Sequence, residues 1–336
     1  MTFKDIKGHD KTIALLMTYL REQRLSSSFL FVGAEGLGKF FTAKIVAQAV
    51  NCSTGDGDAC GGCPSCLAIA KNQHPDVHII DPAAVGQEAG EESLDPAQSA
   101  RSSGVIKIDY IRSLQRQVNL KPYQGRKKVF IINDADRMTA EAANCLLKTL
   151  EEPPENSLIL LVTAKPSLLF KTVISRCRLI KFYPLQRQSL ADILVNDYGL
   201  TQHPARFLAF FSEGRMGSAI ALKDSEIFQE KNEIIDAFFA SPPARGSRLL
   251  GTDRVSLRHH CNILATWFRD IYLCKAQVPD SEFIHCDRRA DVVRAAAGYS
   301  FAALDKIVQS ISEALLHIDQ NINPRLVVAN LRAVLS

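Results

Sequence analysis

The sequence lacks several features that would settle its class early. No apolar run approaches the roughly 18 residues of a membrane span. The first residues, MTFKDIKGHDK, contain no apolar segment of the secretory kind. No membrane association and a cytoplasmic location are therefore expected. Charge of one sign is also scarce: 40 basic residues stand against 36 acidic ones, for a net +4. An excess this small does not argue for nucleic acid, so any DNA contact has to come from a local patch. Internal repeats and coiled-coil heptads are absent too. A hydrophobic share of 46% beside a charged share of 23% excludes a mainly disordered chain. At roughly 150 residues per domain, 336 residues predict two or three domains.

The nine cysteines do not form an even disulfide set. Cys145, Cys177, Cys261, Cys274 and Cys286 are scattered, while Cys52, Cys60, Cys63 and Cys66 crowd into one stretch. In a reducing compartment such a cluster binds metal more often than it forms disulfides. The spacing C-x7-C-x2-C-x2-C, with Gly61, Gly62 and Pro64 between the cysteines, suits a closed tetrahedral zinc site, structural rather than catalytic. An iron–sulfur cluster and four unligated thiols are the alternatives.

Strand and helix patterns alternate through the first half. Apolar runs at 28–32, 77–80, 129–132 and 158–162 predict strands. Periodic stretches at 9–24, 38–51, 106–119 and 139–151 predict helices. The alternation implies a parallel sheet covered by helices. Residues 82–104 carry no periodicity and read as a surface insertion. Beyond about residue 186 the strand signal fades. Ser189 with Asp192 suggests a capping box, and Leu257, Cys261, Leu264, Phe268 and Ile271, then Leu304, Ile307, Ile311, Leu315 and Ile318, recur at helical spacing. Ser241-Pro242-Pro243 interrupts this helical region.

Gly33-Ala34-Glu35-Gly36-Leu37-Gly38-Lys39-Phe40 lies between the first strand and a helix, the setting of a phosphate loop. Gly33, Gly36 and Gly38 let backbone N–H groups turn toward phosphate, and Lys39 reaches its terminal oxygens. The position that normally carries the Mg²⁺-binding hydroxyl is Phe40, which has no oxygen to offer. Thr42, two residues on, faces another way. After the strand at 129–132 come Asn133 and Asp134. Asn133 stands where a metal-binding Asp is wanted and Asp134 where a water-positioning Glu is wanted. A register one residue later would make Asp134 the metal ligand. Three altered parts together predict a cleft that does not hydrolyse ATP.

The runs Asn133-Asp134-Ala135-Asp136-Arg137-Met138, Ala143-Asn144-Cys145-Leu146-Leu147-Lys148-Thr149-Leu150-Glu151-Glu152-Pro153-Pro154 and Ser175-Arg176-Cys177 resemble the bacterial clamp-loader subunits of DNA polymerase III, which are AAA+ proteins. The four-cysteine insertion after the phosphate-loop helix belongs to the same resemblance. It is strong over the first 185 residues and weaker through Glu213-Gly214-Arg215-Met216-Gly217-Ser218-Ala219 and Asn321-Ile322-Asn323-Pro324-Arg325-Leu326. It implies an α/β AAA+ P-loop domain at 1–182 with the zinc module, a helical lid at 183–223 and an all-α collar at 224–336. It further implies a hetero-pentamer with motor (gamma/tau) and delta subunits that loads a sliding clamp onto primer-template DNA. In such an assembly Arg176 is an arginine finger for a neighbour's ATP. Thr163 and Arg215 fall at the two sensor positions. The eroded loop beside an intact Ser-Arg-Cys fits a non-motor member. A competent AAA+ ATPase and a zinc-dependent nucleic-acid binder are the rival readings. Arg126-Lys127-Lys128 is a basic run before a strand that a solvated loop explains as well as DNA does.

Overall fold

The structure, a computed structural model, describes residues 1–22, 27–54, 57–82, 104–239 and 253–335. The insertion at 82–104, apart from its two ends, and the Ser241-Pro242-Pro243 interruption lie outside the described residues. The chain divides into two compact units, Met1–Leu185 and Gln186–Ser336. Apart from residues 183–185, the segments expected as lid and collar fall within one unit.

The first unit is a five-stranded, wholly parallel sheet. Its strands are β1 (Ser28–Val32), β2 (Val77–Ile80), β3 (Lys128–Ile132), β4 (Ser157–Thr163) and β5 (Arg178–Lys181), in the order β2-β3-β4-β1-β5. Its helices are α1 (Asp10–Arg21), α2 (Lys39–Asn51), α3 (Pro64–Ala70), α4 (Ile108–Val118), α5 (Ala140–Glu151) and the single turn α6 (Lys171–Ile174). Every residue of β3 and β4 is buried, as continuous apolar strands covered on both faces require. Alternate residues feed two cores. Phe29, Phe31, Val129, Ile131, Leu158 and Leu160 pack with Ile45 and Val46 of α2 on one face. Leu30, Phe130, Ile132, Ile159 and Leu161 pack with Leu114 of α4 and Leu146 of α5 on the other. Each such side chain contributes about 1.5–3 kcal/mol on burial.

Three elements of the first unit escape the sequence pattern, among them the single turn α6. In β5 only Ile180 is buried, because an edge strand is half solvated and its flanking Arg178 and Lys181 mask the apolar signal. Helix α3 is seven residues long, too short for periodicity to register.

The second unit contains α7 (Arg187–Tyr198), α8 (Gln202–Phe211), α9 (Met216–Lys223), α10 (Ile227–Phe239), α11 (Arg254–Lys275), α12 (Arg289–Gly298), α13 (Phe301–Asp319) and α14 (Pro324–Leu335), and no strand among the described residues. The periodic residues expected to be apolar faces are buried with one exception: Leu257, Cys261, Leu264, Phe268 and Ile271 on α11, and Leu304, Ile307, Ile311 and Ile318 on α13, where Leu315 is only partly covered and Ala314 is buried in its stead. The expected capping box at Ser189 is corrected. Helix α7 starts at Arg187 after Gln186, so Ser189 lies inside the first turn, and Asp192 accepts from Gln188 Nε2 at 2.9 Å. An α/β phosphate-loop unit followed by an all-helical region is the architecture the resemblance implies.

Candidate nucleotide cleft and cysteine cluster

The sheet order brings the C-terminal ends of β1, β4 and β3 side by side. Val32 is level with Thr163, and Ile132 with Leu161. Ligand clefts of open parallel sheets form at such ends. Gly33 leaves β1 where an added Cβ would sit 2.6 Å from the Phe182 carbonyl oxygen. Gly36 and Gly38 take left-handed φ of 77° and 82°, and Gly38 caps α2. The expected loop geometry is therefore present, with the first turn of α2 behind it.

The side chains in and around it are placed as follows. Lys39 is buried, and its Nζ donates to the Ala34 carbonyl of its own loop at 2.6 Å. Burial pulls its pKa below the usual lysine value, against the opposing pull of Glu35, Asp134 and Asp136. Phe40 packs against the sheet core on the α2 side. Thr42 is fully buried and donates to the Gly38 carbonyl at 2.9 Å, so its hydroxyl serves the helix. Asn133 continues the β3 ladder through its N–H to the Ile80 carbonyl, 2.9 Å. Asp134 takes a left-handed φ of 44°, lies 3.8 Å from Arg137, and has its pKa raised, first by burial. Thr163 donates to Asp136 Oδ1 at 2.5 Å and accepts from the Lys165 N–H at 2.9 Å. Its hydroxyl thus serves a carboxylate as well as backbone. Three groups at this cleft have no role assigned by the sequence pattern: Glu35, Asp136 and His9. His9 Nε2 reaches the Leu37 carbonyl at 3.0 Å and its ring stands edge-on to Phe182.

Ser175-Arg176-Cys177 has a divided role. Cys177 packs against the α5-side core, and burial pushes its thiol up to about 12. Ser175 Oγ and Arg176 Nη1 both donate to the Thr172 carbonyl, at 3.2 and 2.9 Å. The guanidinium remains partly exposed, with Nη2 2.5 Å from Glu151 Oε1. Arg215 belongs to the second unit. It precedes α9, donates to the Ser212 carbonyl at 2.9 Å and lies 3.7 Å from Glu213.

The four cysteines meet at the far end of α2. Cys52 caps the helix, and the ligand atoms of Cys52, Cys60, Cys63 and Cys66 all lie within 4.8 Å of one another. Sulfurs bound tetrahedrally at about 2.3 Å stand about 3.8 Å apart, so the cluster has the donors and spacing to hold a metal ion such as zinc. Backbone N–H groups already point at sulfur: Cys60 N to Cys52, Cys63 N to Cys60 and Cys66 N to Cys63, at 3.3, 3.3 and 3.4 Å. Burial pushes Cys66 up to about 12. At Cys63 burial also raises the pKa, but the N–H groups of Ser53 and Cys66 outweigh it and bring the thiol down to about 5.

The basic run is only partly a surface feature. Lys128 is the first residue of β3 and is buried, which corrects its placement before the strand. The preceding loop is held from inside. Buried Asp76 accepts the N–H groups of Tyr123, Gln124 and Gly125, each at 2.7 Å. Asn51 Oδ1 accepts those of Arg126 and Lys127 at 2.8 and 3.0 Å. Tyr123 is left 81% exposed.

Comparison with known proteins adds the following. The family model "DNA polymerase III, delta subunit" matches residues 8–186, and "DNA polymerase III, delta subunit, C terminal" matches 247–332. DNA polymerase III subunit delta' of Bacillus subtilis is 33% identical over 220 residues, covering 66% of this chain and 60% of that protein. DNA polymerase III subunit tau of Escherichia coli is 31% identical over 233 residues, covering 67% of this chain and 33% of its own. The tau/gamma subunit of Haemophilus influenzae is 32% identical over 232 residues, covering 67% and 31%. The chain thus spans less than two thirds of these relatives.

Proposed function

The chain belongs to the DNA polymerase III delta-subunit family of clamp-loader proteins, and from that premise we propose that it is a delta-prime-type stator, which does not hydrolyse ATP itself but supplies Arg176 to the ATP of a neighbouring motor subunit. The assembly is a cytoplasmic hetero-pentamer with gamma/tau and delta subunits, and it places a sliding clamp on primed DNA.

The observation that carries this reading is Phe40. Its ring packs against the sheet core on the α2 side and carries no hydroxyl to ligate Mg²⁺. The remaining parts of the cleft support it. Lys39 is turned onto its own loop, and Asn133 and Asp134 replace a stronger metal ligand and a longer base. Glu35, Asp134 and Asp136 gather around that lysine, so a triphosphate without its metal meets carboxylates. Outside the cleft, the Arg176 side chain keeps 33% exposure. A guanidinium placed on a transferring phosphoryl group stabilises its growing charge, an effect of about 10³–10⁵ in rate. In this reading the four cysteines hold zinc. When bound, the ion draws four sulfurs into one fixed cluster and takes no part in hydrolysis.

The test is hydrolysis by the isolated chain and by the reconstituted assembly. The isolated chain is expected to show no Mg²⁺-dependent turnover. Arg176→Ala is expected to lower the assembly's turnover toward the loss of about 10³–10⁵ seen for such fingers. Turnover by the isolated chain that Lys39→Ala abolishes would establish the motor-type ATPase instead.

A further inference from the structure

Arg176 is held at both ends of its guanidinium by its own chain. Nη1 donates to the Thr172 carbonyl at 2.9 Å and Nη2 lies 2.5 Å from Glu151 Oε1. We propose that Glu151 is a positioning residue for Arg176, fixing the direction in which the guanidinium is presented to the phosphate of an adjoining subunit. This rests on the finger reading above.

The first argument is geometric. A guanidinium carries five N–H groups. One-point contacts on each terminal nitrogen use two and leave three for an incoming anion. A bidentate grip by Glu151 would instead have occupied the flat edge that matches phosphate. The second concerns the anchors, both of which belong to packed elements. Glu151 ends α5, whose Leu146 and Leu150 are core residues. Thr172 lies in α6 beside fully buried Val173, and its carbonyl is fixed further by the Ser175 hydroxyl. A long flexible side chain held this way has already lost its rotamer freedom before the neighbour arrives.

The third argument is what Glu151 does not do. It sits at the C-terminal end of α5, where the helix dipole disfavours a carboxylate. The pair is also open to solvent, with side-chain exposures of 33% and 49%, so screening leaves it little effect on stability. An acid at this end does not stabilise α5, whereas it does orient Arg176.

The experiment is a double-mutant cycle read as ATP turnover of the complete reconstituted assembly. Glu151→Ala is expected to lower kcat about three- to fivefold, the size of an exposed ion pair, with KM unchanged. Glu151→Gln, which keeps an acceptor oxygen, is expected to retain most of the rate. In an Arg176→Ala background, Glu151→Ala is expected to change nothing further, and the melting temperature of the single variant is expected to match the parent. An unchanged or raised kcat for Glu151→Ala overturns the proposal, and so does a loss that persists without Arg176, because that marks a purely structural role. Full turnover by Arg176→Ala alone would instead overturn the finger reading, and this proposal with it.

Discussion

Helix α2 begins in a phosphate-type loop and ends in a cysteine cluster, and its two ends have kept different things. At the first turn the backbone has left-handed glycines and a lysine in place, while Phe40, Asn133 and Asp134 stand where the proposal wants groups that handle a metal and water. At the last turn all four candidate ligands are present and converge. Backbone form and side-chain chemistry are therefore separable. A loop whose path is set by Gly33 passing under Phe182 persists because the fold needs that path, whatever its ligands have become. The cysteine end is supported differently: Cys52, Cys66 and Ile69 are buried in the core on the α2 side, Gln48 Nε2 donates to the Cys66 carbonyl at 2.7 Å, and N–H groups point at three of the sulfurs.

The contrast is sharpest on metal removal. Chelation, or Cys66→Ser, is expected to remove a large part of the roughly 10–16 kcal/mol that structural zinc contributes in small domains, with the amides of residues 57–70 losing exchange protection first. Metal analysis of the parent is expected to return one zinc per chain. Iron with visible absorbance would overturn the assignment, and unchanged protection after chelation would place the two ends of α2 on the same footing.

Acidification probes the loop end. Burial holds the His9 pKa below its ordinary 6.5, so the folded chain favours the neutral ring that bonds the Leu37 carbonyl. The unfolded chain takes up the proton first as pH falls below that value, and this contribution to stability is lost downward. His9→Gln keeps a donor and removes the titration. The parent's melting temperature is expected to drop more than the variant's between pH 7.5 and 5.5, by roughly 2–4 °C for each kcal/mol involved. Parallel curves would dismiss His9 as a contributor.

The smallest effect is expected at Lys39. In the motor-type reading its loss abolishes turnover, whereas the stator reading leaves only a structural effect. Here Lys39→Met removes a buried ammonium and is expected to be neutral or stabilising by up to about 1 kcal/mol in thermal unfolding. A marked destabilisation would show that the lysine still holds the loop closed.

The sheet, its α2 connection and the cysteine cluster were legible in the sequence, because glycine spacing, continuous apolar runs and C-x2-C pairs are local signals. What stayed hidden is non-local or masked. Thr163 meets Asp136 across 27 positions, and Arg176 meets Glu151 across the turn that joins α5 to β4 and beyond. No periodicity encodes either pair. Edge strand β5 carries its apolar content on Ile180 alone, and the buried Lys128 reads in sequence as one more member of a solvent-facing basic run.

The segment ahead of β3 has a consequence of its own. Asp76 and Asn51 grip five consecutive main-chain amides there, all through backbone N–H groups. Shape is thereby set largely by the grip and not by the outward side chains. The outward groups, Tyr123 foremost, can vary so long as no proline replaces a gripped amide and Gly125 is kept, because a Cβ there would stand 2.6 Å from the Asn51 Oδ1 that holds the next two amides.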